Sequence, residues 1–281
     1  MSEDAVSLVP LTDLAIVRVA GEDAAAFLQA QLSSDIRALE TGEARVTSWN
    51  TPAGKAVATP RLLRSGPETF FLVLPEGLAE PVAAGLRRFV LRSRVTIDQP
   101  VGLGVFGTSD THLPGGSFVH AALDDGTGRS LVVAPSDTSP PEKSGTGRQA
   151  WREADLRSAR PQVYPATSGR FVPQMLNLDL VGGISFDKGC YPGQEVIARA
   201  RYLGRIKRRM GLFAGGGEAV PDAGEPLAGQ PGTTVIDACE SAGGWLALAV
   251  APLAGDPLPS GVEPLPLPYA IPEAPPGDRD G

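Results

Sequence analysis

Apolar residues recur along the first hundred positions with two spacings, and each spacing predicts a different element. Alternating or continuous apolar runs predict strands over residues 14–19, 44–50, 55–63, 68–74 and 94–98. Helical spacing predicts helices over residues 22–32 and 78–90. The order strand, helix, strands, helix, strand is typical of a split βαβ, ferredoxin-like unit, so this half of the chain is predicted to be α+β.

The pattern changes twice in the rest of the chain. Residues 101–106 and 129–134 predict strands, residues 113–117 and 135–148 predict loops, and residues 151–160 and 194–201 predict helices. From residue 208 short strands separated by glycine and proline, at 212–213, 233–239 and 245–250, predict a small β-barrel or sandwich. The predicted division is a main domain over residues 1–207, a β-barrel domain over 208–272 and a flexible tail over 273–281.

The stretch from Phe186 to Glu195, FDKGCYPGQE, is the strongest candidate for a working site. Cys190 lies beside Lys188 and just before a predicted helix, and both a nearby ammonium and a helix N-terminus favour thiolate over thiol. Such a thiolate could act as a nucleophile, as a transient iron ligand or as a redox-sensitive group. The alternative is that Gly189 and Gly193 shape a tight turn and the cysteine only fills space.

The run Lys-Gly-Cys-Tyr-x-Gly-Gln-Glu, followed by Ala198-Arg199, resembles the signature of YgfZ-type folate-binding proteins. The flanking segments FVPQ at 171–174 and GGISF at 182–186 fit the same pattern. That family is related to the glycine-cleavage aminomethyltransferase and to a mitochondrial factor for iron–sulfur cluster assembly. The resemblance implies two interleaved ferredoxin-like, aminomethyltransferase-like α+β subdomains around a central cavity, followed by the small β-barrel.

The resemblance also implies a function. The expected cofactor is tetrahydrofolate or a one-carbon-substituted derivative, and the expected role is to support assembly or repair of iron–sulfur enzymes and so tRNA modification. Expected partners are folate and iron–sulfur client or assembly proteins. Cys190 and Lys188 are the predicted catalytic residues. The predicted folate-binding residues are Gln174, Asn177, Tyr191, Gln194, Glu195, Arg199 and Arg201.

Folate combines a pterin ring, which needs polar partners for its amide edge, with an acidic tail that needs cations. Gln174 and Asn177 offer donors and acceptors for the ring, and Arg199 and Arg201 offer donors for the tail. Aminomethyltransferases resemble this chain near Gln174, where they carry a glutamate that holds the pterin. Gln174 and Asn177 could instead satisfy the backbone.

Two other side-chain features leave alternatives open. The basic run Arg199, Arg201, Arg205, Lys207, Arg208 and Arg209 could be a solvated face, a dock for a small anion or an RNA-binding patch. Glu195 could hold the loop through Lys188, or could lie at the first helical turn because of the helix dipole.

The turn before Gly54 separates this chain from the catalytic aminomethyltransferases it resembles. Those enzymes carry a carboxylate pair after the glycines, whereas residues 54–60 here read GKAVATP and contain no carboxylate. Acid–base help at the folate nitrogen would be missing, so the glycine-cleavage reaction is not expected. A different folate-dependent aminomethyl- or methyltransferase and an RNA-binding accessory module are the two alternative functions.

Composition narrows the class of protein. The 25 Lys and Arg against 32 Asp and Glu give a net charge of -7, which argues against a chain coated for nucleic acid or anionic membrane. Two cysteines make no disulfide framework, and two histidines without a CxxC make a zinc site unexpected. Without a signal-peptide pattern or an apolar run of membrane-spanning length, the chain is predicted to be cytoplasmic. A monomer is the expected oligomeric state.

Overall fold

The structure, a computed structural model, describes residues 7–110, 119–138, 144–202, 206–217, 219–254 and 257–272. The α-helices in these ranges are α1 (Ala24–Gln31), α2 (Glu76–Arg87), α3 (Ser144–Arg157) and α4 (Gln194–Tyr202). The strands are β1 (Val9–Pro10), β2 (Leu14–Ala20), β3 (Glu43–Val46), β4 (Trp49–Asn50), β5 (Ala56–Ala58), β6 (Arg61–Arg64), β7 (Thr69–Pro75), β8 (Thr96–Asp98), β9 (Leu103–Thr108), β10 (Val119–Leu123), β11 (Ser130–Pro135), β12 (Arg208–Gly215), β13 (Thr234–Ser241), β14 (Gly244–Pro252) and β15 (Val262–Leu265).

Nine strands form the main sheet, in the order β1-β9-β11-β10-β3-β6-β7-β2-β8. Its pairs are antiparallel except for β10 with β3, which is parallel. Strand β7 is buried on both faces because its side chains alternate between two cores. Phe70, Leu72 and Leu74 pack with α1 and α2, whereas Phe71 and Val73 pack on the opposite face. The predicted mixed α+β class is confirmed.

Helix α2 covers one face of this sheet. Its buried residues Leu78, Val82 and Leu86 repeat every four positions, which gives one apolar stripe, and its charged residues lie outside that stripe. Gly85 lies where α2 meets β4: a Cβ there would lie 2.1 Å from Cη2 of Trp49. The missing side chain therefore lets the indole lie directly against the helix.

A second, four-stranded antiparallel sheet has the order β13-β14-β12-β15. One face, including Met210, Leu212 and Leu248, joins the same apolar core as β7, α1 and α2. Phe213 and Trp245 belong to a separate cluster on its other face. The closed barrel, the two interleaved subdomains and the domain boundaries expected from the sequence stay predictions.

The predicted loop over residues 135–148 is wrong in its last part, because α3 begins at Ser144; residues 139–143 lie outside the described residues. Gly147, which falls in the predicted loop, lies instead in α3 and lets this helix lie close to β1, since a Cβ there would lie 3.2 Å from Cγ2 of Val9. The predicted loop at 113–117 also lies outside the described residues. Within the ranges above, the helices lack the combined length and apolar character needed to cross a bilayer.

Candidate functional site

The cysteine motif forms a loop that leads directly into α4. The backbone N–H of Gln194 donates to the carbonyl of Tyr191, and the N–H of Ile197 donates to the carbonyl of Gly193. Gly193 has a φ of +78°, and a Cβ on it would lie 2.6 Å from both the Thr51 carbonyl oxygen and the Gly54 Cα. The second glycine of the motif is therefore required by the close approach of the β4–β5 turn.

A cavity of about 790 Å³ opens beside this contact. Its wall comes from the β4–β5 hairpin, the C-terminal end of α2, and the motif loop with the first turns of α4. The lining residues are Trp49, Asn50, Thr51, Pro52, Val57, Gly85, Arg88, Phe89, Cys190, Tyr191, Pro192, Gly193, Gln194, Glu195 and Ala198. Four of the predicted site residues are thus brought together on one wall: Cys190, Tyr191, Gln194 and Glu195.

Cys190 is a free, exposed thiol on this wall. Lys188, two residues earlier, is turned toward α1: its Nζ donates to the carbonyls of Leu32 (2.6 Å) and Ser34 (2.8 Å) just after that helix ends. Burial lowers the pKa of Lys188 to about 8. The lysine thus ties the motif loop to the end of α1, and the activation of Cys190 by its ammonium stays a prediction.

Tyr191 is buried beneath the loop, with Nζ of Lys188 5.2 Å from its ring centroid. Burial raises its pKa to about 12, so the phenol is neutral at physiological pH. Its hydroxyl has no hydrogen-bond partner among the described residues. Tyr191 therefore lines the cavity as a buried aromatic residue whose hydroxyl is unpartnered among the described residues.

Gln174 and Asn177 lie elsewhere, in the contact between the short 3₁₀ turn Pro173–Leu176 and the second sheet. Gln174 Nε2 donates to the carbonyl of Ile197, and Asn177 Nδ2 donates to the carbonyl of Met210. Asn177 also takes the left-handed conformation that ends the turn, with a φ of +59°. Both amides thus donate to backbone carbonyls, as the alternative given in the sequence analysis expects. Their predicted contacts with folate stay predictions.

The members of the basic run have different surroundings, and Lys207 among them is exposed. Arg209 is buried and forms a bidentate pair with Asp179, and Arg208 donates to the carbonyl of Gly232. Arg205 lies outside the described residues. Arg199 and Arg201 are exposed on α4 away from the cavity wall, and the Arg201 guanidinium stacks 4.0 Å from the Phe186 ring centroid. The run is therefore not one continuous patch, and the predicted folate contacts of Arg199 and Arg201 stay predictions.

The sequence reading missed the opposite wall. Trp49 and Asn50 were predicted only as the end of a strand, and Arg88 and Phe89 only as the end of a helix. Phe89 is 48% exposed, and Arg88 makes no ion pair with any described residue. An aromatic side chain and a cation that remain exposed side by side at a helix end could have signalled a binding surface.

Several polar atoms of residues that line the cavity are buried without a partner in the described part of the chain. They are Nε1 of Trp49, both side-chain polar atoms of Asn50 and the hydroxyl of Tyr191. A buried donor or acceptor left unsatisfied costs about 1–3 kcal/mol, and native structures contain few of them. A wall with three such residues is suited to a ligand that offers matching polar groups.

Comparison with known proteins identifies the family. No family model matches the chain. An uncharacterized protein of Haemophilus influenzae is 33% identical over 208 residues, covering 73% of this chain and 72% of that protein. The tRNA-modifying protein YgfZ of Escherichia coli O157:H7 is 30% identical over 247 residues, covering 79% of this chain and 76% of that protein.

The chain belongs to the YgfZ family. The resemblance inferred from the cysteine motif is thereby confirmed. Among solved structures, the glycine cleavage system aminomethyltransferase T from Bartonella henselae matches with a TM-score of 0.64 at 14% identity, covering 89% of this chain and 79% of that one. This YgfZ-family chain therefore has an aminomethyltransferase-like fold.

Proposed function

We propose that this chain binds a reduced folate in the cavity beside Cys190 and supports the assembly or repair of iron–sulfur enzymes, and through them tRNA modification. The observation that carries the proposal is the exposed Cys190 thiol on the wall of a cavity of about 790 Å³. The Escherichia coli relative is a tRNA-modifying protein, which supports a role in tRNA modification. The iron–sulfur step and the folate rest on the family resemblance.

The residues of the cavity fit a folate. Its volume is within the range of about 300–1,000 Å³ typical of small-molecule sites. Trp49, Tyr191 and Phe89 supply aromatic surface for a flat ring, and the unpartnered polar atoms supply hydrogen bonds for its edge. Arg88 offers a guanidinium for a carboxylate tail. A reduced folate, once bound, would supply one-carbon chemistry or a reduced ring next to the thiol.

The residues around the cavity would then have separate roles. The aromatic residues orient the ring and exclude water from it, and Lys188 fixes the motif loop through the two carbonyls that follow α1. Cys190 is the reactive group that faces a client protein or its iron. Among the described residues that line the cavity, Glu195 is the sole carboxylate, and it is exposed. Proton transfer to a folate nitrogen therefore depends on one solvated group, which favours a binding role over transferase turnover.

The ligand is tested by titrating tetrahydrofolate into the protein. Trp49 lies in the cavity wall, whereas Trp151 and Trp245 belong to other apolar clusters. We expect saturable quenching with a Kd below about 1 mM, and we expect Trp49→Phe to remove most of the signal while calorimetry still reports binding. An absence of binding in both measurements would overturn the folate assignment.

The role of the thiol is tested in a strain that lacks its own member of this family. We expect Cys190→Ser to fold and to bind folate like the wild type, yet to fail to restore thiolated tRNA and the activity of iron–sulfur enzymes. Cys239→Ser is the matched control, because Cys239 lies on β13 and does not line the cavity. Full rescue by Cys190→Ser would remove the thiol from the mechanism.

The transferase alternative predicts turnover instead. Incubation with 5,10-methylenetetrahydrofolate and candidate acceptors would consume the folate, and Glu195→Gln would stop the consumption. We expect no consumption.

A further inference from the structure

We infer that Asn50 recognises the ligand of this cavity and selects a planar ring that has a lactam edge, meaning a ring carbonyl next to a ring N–H. The inference deepens the proposed function and rests on it for the identity of the ligand. The preference for a lactam edge, in contrast, is argued only from the residues that line the cavity.

The first support is the state of the Asn50 side chain. The residue lines the cavity, is 3% exposed, and neither its Nδ2 nor its Oδ1 has a partner in the described ranges. Its neighbours Trp49, through Nε1, and Tyr191, through its hydroxyl, share this condition. Gln174 also has an unpartnered oxygen, but it is outside the cavity wall. Three residues that line the same cavity thus carry buried polar atoms without a partner among the described residues.

The second support is the contrast with the polar residues just before Asn50. Ser48 Oγ donates to Ser33 Oγ at 2.8 Å, and Ser33 Oγ donates to the carbonyl of Gly183 at 2.6 Å. Thr47 Oγ1 accepts from the backbone N–H of Ser34 at 3.1 Å. The fold therefore satisfies the buried hydroxyls of this segment. A leucine has the same number of side-chain heavy atoms as Asn50 and no polar group, although it occupies more volume. The described contacts thus reveal no structural use for the amide.

The chemistry of the side chain gives the class of ligand. A carboxamide places a donor and an acceptor side by side, and its complement is an acceptor beside a donor. A carboxylate at the same position would accept only and would prefer an edge with two donors. The lactam edge is shared by the pterin ring of a folate and by guanine, so the two sources are separated by experiment. The Trp49 N–H and the Tyr191 hydroxyl are available for a further carbonyl or ring nitrogen.

The experiment compares wild type with Asn50→Leu, using calorimetry and three ligands. These are tetrahydrofolate, para-aminobenzoyl-glutamate, which lacks the pterin ring, and GMP. We expect Asn50→Leu to weaken tetrahydrofolate binding by about 10- to 100-fold and to leave para-aminobenzoyl-glutamate binding unchanged. Asn50→Ala, which removes the amide without adding volume, is measured beside it and should lose tetrahydrofolate affinity to a similar extent.

Each other outcome has a definite meaning. Unchanged tetrahydrofolate affinity in Asn50→Leu overturns the inference and leaves the proposed function standing. GMP binding that depends on Asn50, without folate binding, supports the inference, assigns the site to guanine and overturns the folate proposal. A wild type that binds neither lactam ligand overturns both. Loss of para-aminobenzoyl-glutamate binding together with tetrahydrofolate binding in both Asn50 variants would show that the amide only keeps the cavity in shape, which also overturns the inference.

Discussion

At the scale of single residues, the two thiols of the chain differ sharply in their surroundings. Cys190 is exposed, whereas Cys239 is half-buried on β13, and burial raises its pKa to about 11. A thiol with that pKa is only about one part in a thousand thiolate at pH 8, and the thiolate is the form that reacts.

Alkylation with iodoacetamide should therefore have two phases at pH 8. We expect the fast phase to disappear in Cys190→Ser and the slow phase to disappear in Cys239→Ser. Raising the pH toward 11 should speed up the slow phase, because deprotonation of Cys239 follows its raised pKa. Saturating tetrahydrofolate should slow the fast phase alone, since Cys190 lies on the cavity wall. Equal rates for the two thiols would contradict this assignment.

How much of the site the sequence could predict depends on how its residues reach the cavity. Cys190, Tyr191, Gln194 and Glu195 are consecutive parts of one loop and one helix turn, so a local motif finds them together. Asn50 lies on the β4–β5 hairpin, far from the motif in sequence, and belongs to no motif. It becomes a candidate only because its amide is buried without a partner among the described residues, and the sequence does not show this because it results from tertiary packing.

At the scale of elements, the site depends on two close contacts. The β4–β5 turn lies against Gly193 just before α4, and the Trp49 ring lies against Gly85 of α2. The sequence predicted α4 well, because its start follows a glycine and its length is set by local residues. It predicted one strand over residues 44–50, where the chain in fact changes partners: β3 pairs with β6, and β4 pairs with β5. A change of pairing partner depends on distant strands, and the apolar pattern of a single segment does not contain it.

The first close approach predicts opposite behaviour for the two glycines of the motif. Gly193→Ala should lower stability by about 1–3 kcal/mol, because it combines a φ of +78° with contacts of 2.6 Å to the β4–β5 turn. It should also weaken tetrahydrofolate binding, since Thr51 and Gly193, which make that contact, both line the cavity. Gly189→Ala is the matched control: a Cβ there meets nothing within 4 Å, so stability should change by less than about 0.5 kcal/mol. Denaturant unfolding and calorimetry measure both effects, and similar losses in the two variants would refute the argument.

The second close approach concerns Gly85 in α2. An alanine in a helix interior normally stabilises by about 1 kcal/mol relative to glycine. Here its Cβ would lie 2.1 Å from Trp49, so we expect Gly85→Ala to destabilise instead, by about 1–3 kcal/mol, and to shift the Trp49 emission. In a Trp49→Leu background the same substitution should become neutral or stabilising. A double-mutant cycle in denaturant measures this coupling, and additive effects would show that the indole does not rest on Gly85.

At the scale of the whole molecule, the sequence divides the chain near residue 208 because its composition changes there. In the structure, the second sheet shares an apolar core with the main sheet and its helices. A composition boundary is a local property, whereas a shared core depends on which faces meet. The two descriptions therefore predict different unfolding behaviour: separate transitions for independent domains, and one transition for a continuous core.

A buried ion pair provides the means to distinguish them. Arg152 on α3 binds Asp237 on β13 in bidentate geometry, with its Nη2 2.6 Å from Oδ1 and its Nη1 3.3 Å from Oδ2. The Asp237 side chain is 5% exposed. Removal of its charge leaves the Arg152 guanidinium with only the Tyr164 hydroxyl and the Ala238 carbonyl as other acceptors among the described residues. Asp237→Asn should cost about 3–5 kcal/mol, and the double variant Arg152→Met, Asp237→Leu should recover part of that loss.

The decisive measurement follows unfolding in two single-tryptophan versions of the protein, one that keeps Trp49 by the cavity and one that keeps Trp245 in the second sheet. Because the core is continuous, we expect the two probes to report the same midpoint, and we expect Asp237→Asn to shift both midpoints equally. If the Trp245 transition alone moved to lower denaturant, the second sheet would unfold by itself, and the division near residue 208 would be a true domain boundary. In that case the cavity, whose wall contains no residue of the second sheet, should still bind its ligand after the Trp245 transition. With one continuous core, binding should be lost at the common midpoint.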